Sequence, residues 1–84
     1  MNRSFPGASM VYIPDEAAQS VIRQILARGE TAVVVEAGEG TEILGVANYP
    51  RVCREYYAGR LVRAVFRTEH DLESRLALAR ARSS

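Results

Sequence analysis

Eighty-four residues at 9.3 kDa make one small domain, whose eleven basic side chains are all arginine and leave a net charge of +1 against ten carboxylates. Without lysine, the chain can hold no P-loop lysine, Schiff-base lysine or amine nucleophile. One histidine (His70) and one cysteine (Cys53) exclude a four-ligand zinc site and a disulfide framework, and no metal or cofactor is expected.

Residues 1–9, with Pro6, Gly7 and small polar side chains, are expected to form a flexible N-terminus. Met10, Val11, Tyr12 and Ile13 form a short β-prone run that Pro14 stops. Asp15 is a suitable N-cap, and Ala18, Val21, Ile22, Ile25 and Leu26 recur at three- and four-residue steps. That spacing predicts an amphipathic helix over 15–28, closed by Gly29. The β-branched run Thr31 to Val35, a turn at 37–40 and the apolar return at 41–47 predict a β-hairpin.

Asn48 and Pro50 suit the cap and first turn of a second helix. Across 51–67, Val52, Cys53, Tyr56, Tyr57, Leu61, Val62, Val65 and Phe66 draw a broad helical stripe, with Arg60, Arg63 and Arg67 opposite. We read this stretch as helix; the alternative ends it at Gly59 and makes residues 61–66 a fourth strand. Thr68 and Asp71 resemble a capping box, opening a last helix with Leu72, Leu76 and Ala79 on one face. The sum is an α+β fold ordered strand, helix, β-hairpin, helix and C-terminal helix. Its alternative is βαββαβα. Residues 10–67 form the expected α+β domain, and residues 68–84 a C-terminal helix suited to binding a partner.

Charge is unevenly placed along the chain. Residues 1–42 carry three arginines against six carboxylates, a net −3, while residues 43–84 carry eight against four, a net +4. Among single features, Cys53 reads as a small core residue, His70 as an exposed first-turn residue, and Glu36, Glu39 and Glu42 as a solvated turn. The arginine series Arg51, Arg54, Arg60, Arg63 and Arg67 stands out, since guanidinium forks suit carboxylates and phosphates alike. No nucleophile–base pair is legible, and no enzymatic activity is expected. Residues 1–19 lack a secretory layout, and the run from Ala32 to Val35 is far too short to span a bilayer. A cytoplasmic protein with no membrane partner is expected, and its lone cysteine suits a reducing interior.

The helix ending in Gly29 and Glu30, the hairpin that follows, and the tyrosine-bearing stretch 51–57 together resemble the Phd/YefM antitoxin family over about residues 10–60. The resemblance implies a homodimeric N-terminal domain that binds operator DNA and a C-terminal segment that silences a toxin. Partner contacts would then fall to Arg60, Arg63, Arg67, Leu72, Arg75 and Leu76, and any DNA contacts to Arg3, Arg23 and Arg28. Where that family is basic at its first helix, this chain has Asp15 and Glu16, whose charge repels phosphate. The alternative function is a small inhibitor or adaptor without a DNA role, such as a phage-encoded protein that blocks a host protein through a charged surface.

Overall fold

A computed structural model describes residues 11–49 and 56–83. Helix α1 spans Glu16–Ala27, and strands β1 (Thr31–Ala37) and β2 (Gly40–Val46) form the hairpin. Strand β3 (Tyr56–Tyr57) and strand β4 (Arg60–Phe66) form a second, shorter hairpin, and helix α2 spans Glu69–Ser83. The four strands make one antiparallel sheet in the order β2-β1-β4-β3. The α+β class holds, with two helices rather than three among the described residues.

Local chemistry sets the ends of each helix. At α1, the Asp15 carboxylate accepts from the Ala18 amide at 2.8 Å. At its other end, the Gly29 amide donates to Leu26 and the Glu30 amide to Ile25, a Schellman closure that needs the left-handed φ of 80° at Gly29. At α2, the Asp71 amide donates to Thr68 Oγ1 at 3.2 Å, while Asp71 Oδ2 accepts from the Thr68 amide at 3.1 Å and the Arg67 amide at 2.7 Å.

Strand β1 is central and apolar on both sides: Ala32, Val33, Val34 and Val35 are all fully buried. Ala32 and Val34 join Ala64, Phe66, Ile22, Ile25 and Leu72 on the face covered by the helices, with Tyr12, Leu26, Ile43 and Leu76 around them. Val33 and Val35 join Val46 and Tyr49 on the opposite face, with Leu44, Tyr57, Val62 and Val65 around them. Each fully buried branched side chain contributes on the order of 1.5–3 kcal/mol by removal from water.

Two local expectations are corrected. Residues 11–13 form no strand. Tyr12 instead packs against the helix-side core and gives its carbonyl to Arg75 Nη1 at 2.8 Å, so the segment is tied to α2. The helix expected over 51–67 is also absent from its described part, which is the β3–β4 hairpin; residues 50–55 and Met10 lie outside the described residues. The break comes at Ala58 and Gly59, with φ of 54° and 78°, the mirror-image turn that suits strand twist. Asn48 has φ of 58° in a turn after β2 and caps no described helix.

A bulge explains why β4 imitates a helix in sequence. Val35 faces Val62 while Val34 faces Ala64, so Arg63 is an extra residue in the ladder. The insertion shifts the two-residue alternation by one position. Val62 and Val65, three apart, therefore share the face opposite the helices, a spacing that reads as helical.

Candidate functional site

Two arginines of the sequence series, Arg60 and Arg63, meet the acidic hairpin. Arg63, at the bulge and mostly buried, donates from Nη1 to Glu36 Oε2 at 2.6 Å. Arg60, at the start of β4, pairs with Glu42 on β2. Glu42 lies directly opposite Val35 on the intervening strand, so this ion pair bridges over β1. The Arg67 guanidinium lies 5.9 Å from the Tyr49 ring centroid, close enough for a cation–π contact. These three side chains thus tie their own sheet together on different sides.

The remaining expected contact residues divide. Leu72 is fully buried in the helix-side core, and Leu76 packs against that core. Arg75 holds the Tyr12 carbonyl and lies 5.5 Å from the Phe66 ring centroid. Within the folded chain, Leu72 is therefore a core residue and not an available anchor. Arg23 reaches from α1 to α2, with Nε 3.4 Å from Glu69 and Nη2 3.1 Å from Glu73, and Arg28 pairs with Glu30 at 3.0 Å. A phosphate approaching Arg23 or Arg28 would meet a carboxylate already paired with that guanidinium, and its repulsion weakens the site. Arg3, Arg51, Arg54 and Cys53 lie outside the described residues.

Exposed apolar side chains mark surfaces that the sequence reading missed. Tyr56 and Leu61 stand opposite each other across the β3–β4 hairpin, and both are exposed. Val21 on α1 and Leu78 on α2 are exposed as well. Leu78 follows Leu76 by two positions, which turns it off the core-facing stripe; that spacing was the available signal.

His70 and Ser74 are exposed one turn apart on α2, with the ring Nε2 3.4 Å from Ser74 Oγ. Among the described residues, no three histidine, cysteine, aspartate or glutamate side chains come together as metal ligands, and no helix is long and apolar enough to cross a membrane. The Tyr12 phenol titrates above its ordinary value, chiefly because burial disfavours the phenolate, with Asp15 adding repulsion and a Thr41 hydrogen bond opposing both. Comparison of the chain with protein families, curated proteins and solved structures finds no match among them.

Proposed function

We propose that this chain is a non-enzymatic protein-binding module that neutralises a partner protein in the manner of an antitoxin, using the distal end of α2. One observation carries this reading. Leu72 and Leu76 dock α2 onto its own core, yet the helix continues through Ser83 and exposes 42% of Leu78. A helix end that exposes an apolar side chain close to the basic last turn, Arg80 and Arg82, suits docking against an acidic partner.

The placement of Leu72 decides how to test the reading. Truncation after Arg67 removes a core residue, so it confounds loss of binding with loss of fold. Truncation after Ala77 leaves Leu72 and Leu76 in place. With a toxic protein encoded beside this chain, the full chain should restore growth. Residues 1–77 should keep the circular dichroism of a folded domain and fail to rescue. Undiminished rescue by residues 1–77 overturns the proposal.

A second reading, an inhibitor or adaptor with no DNA role, draws support from the ion pairs that hold Arg23 and Arg28 and from the carboxylates at the start of α1. A gel-shift titration with the chain's own upstream DNA separates the two readings. Tight, salt-sensitive binding there excludes the second.

A further inference from the structure

We propose that residues 11–13 form a strap that couples the first hairpin to helix α2, so that freeing Tyr12 at its β2 end loosens α2 on the core. Tyr12 touches three parts of the fold at once. Its ring packs against the helix-side core. Its carbonyl accepts from Arg75 Nη1 on α2 at 2.8 Å. Its phenol shares a hydrogen bond with the Thr41 side chain on β2. In the sheet, β1 separates β2 from β4, and α2 packs against β4 and α1. The strap therefore joins β2 to a helix seated beyond the central strand.

Both ends of the strap are anchored. Pro14 follows it, buried, with a ring that fixes its own φ. The Pro14 carbonyl accepts from Gln19 Nε2 at 3.2 Å, and Asp15 caps α1 one residue later. Only Ile13 lies between this anchor and Tyr12, so the chain has little slack there. The Tyr12 ring and carbonyl share one Cα. A ring seated in the core and held at its phenol thus fixes where the carbonyl meets Arg75.

Helix α2 depends on that meeting because its grip on the core is narrow. Leu72 is fully buried and Leu76 packs beside it. Arg23 reaches Glu69 and Glu73, but these side chains are exposed, and such pairs add little. A guanidinium bond to a carbonyl at a part-buried site is stronger. Arg75 also lies 5.5 Å from the Phe66 ring centroid, so strap and core meet on one side chain. A fifteen-residue helix is marginal in water once undocked. Opening the strap therefore uncovers Leu72 and Leu76 and lets α2 open as a local unit. This coupling holds whether or not the distal end of α2 binds a partner.

Amide exchange of the full chain by NMR tests the coupling. In the unaltered chain, the amides of α2 from Leu72 onward should exchange faster than those of Val33 and Val34 on β1. Thr41→Val and Tyr12→Phe remove the same phenol bond and nearly keep shape. Each should speed α2 exchange about fivefold, the worth of one hydrogen bond. Together they should still give about fivefold, since the bond is lost only once; separate packing effects would multiply instead. The link is reciprocal, so cutting it at α2 should be felt at the phenol. Arg75→Met should bring Tyr12, which burial holds above its ordinary value, down towards that value when its ring carbon is followed through a pH titration. Unchanged α2 exchange in Thr41→Val and Tyr12→Phe overturns the proposal. So do one common rate for α2 and β1, multiplied effects in the double variant, or a Tyr12 titration unmoved by Arg75→Met. Thr41 is exposed on β2, so the exchange readout decides the matter even if Arg75→Met fails to fold.

Discussion

Gly45 shows how one absent carbon positions α1 on the sheet. A Cβ there would lie 2.5 Å from Glu30 Oε1 and 3.4 Å from Ile25 Cγ1. The closer obstacle is the tip of a flexible, partly exposed side chain, while the other is a core atom at ordinary contact distance. Gly45→Ala should therefore displace the Glu30 carboxylate, weaken its pairing with Arg28, and cost about 1 kcal/mol as mild overpacking. Urea denaturation of the single variant, and of Gly45→Ala in a Glu30→Ala background, measures the coupling. Recovery of most of the loss in the double variant identifies Glu30 as the obstacle. An unchanged cost assigns it to what remains beside the new Cβ, Arg28 Nη2 at 3.1 Å and Ile25 Cγ1 at 3.4 Å.

At the scale of elements, the chain's local signals and its long-range ones behave differently. Asp71 closes the first turn of α2 with two backbone donors, and Asp71→Ala should destabilise the fold by about 1 kcal/mol in a denaturant melt. Asp71→Asn, which keeps an accepting oxygen, should lose less. That cap was legible in the sequence, as were the Asp15 cap, the Gly29 closure and the first hairpin, because each is written within a few neighbouring residues. Strand β4 was legible only as an alternative, and β3 was not read as a strand at all. The sole local break of their hairpin is Ala58-Gly59, and the Arg63 bulge gives Val62 and Val65 a helix-like spacing that only pairing with β1 explains. The contact residues followed the same division. Nothing adjacent in sequence tells that Leu72 is enclosed by Ile22, Val34 and Phe66, or that Arg63 finds Glu36. Those partners are set by the folding of distant segments onto one strand.

For the whole molecule, the near-neutral charge conceals an acidic first half and a basic second half, and the fold joins them. Glu36 and Glu42 of the first hairpin receive Arg63 and Arg60 from β4, while Arg23 of α1 receives Glu69 and Glu73 from α2. Arg60 and Arg63 therefore act first as an internal clasp, which leaves less of their charge for phosphate than their spacing in the sequence suggests. Reversing one charge tests how far the clasp supports the sheet. Arg60→Glu places two carboxylates where Glu42 now meets a guanidinium, and about 1 kcal/mol of stability should be lost at low salt. Both side chains are substantially exposed, so the loss should shrink in molar salt, where the Debye length falls to about 3 Å. Adding Glu42→Arg restores opposite charges in swapped positions and should recover most of the stability, as read by urea melts of both variants at two salt concentrations. Recovery with salt dependence marks the two halves as held by charge across β1. A loss that neither the second substitution nor salt relieves would assign the role of Arg60 to packing of its aliphatic stem on the sheet.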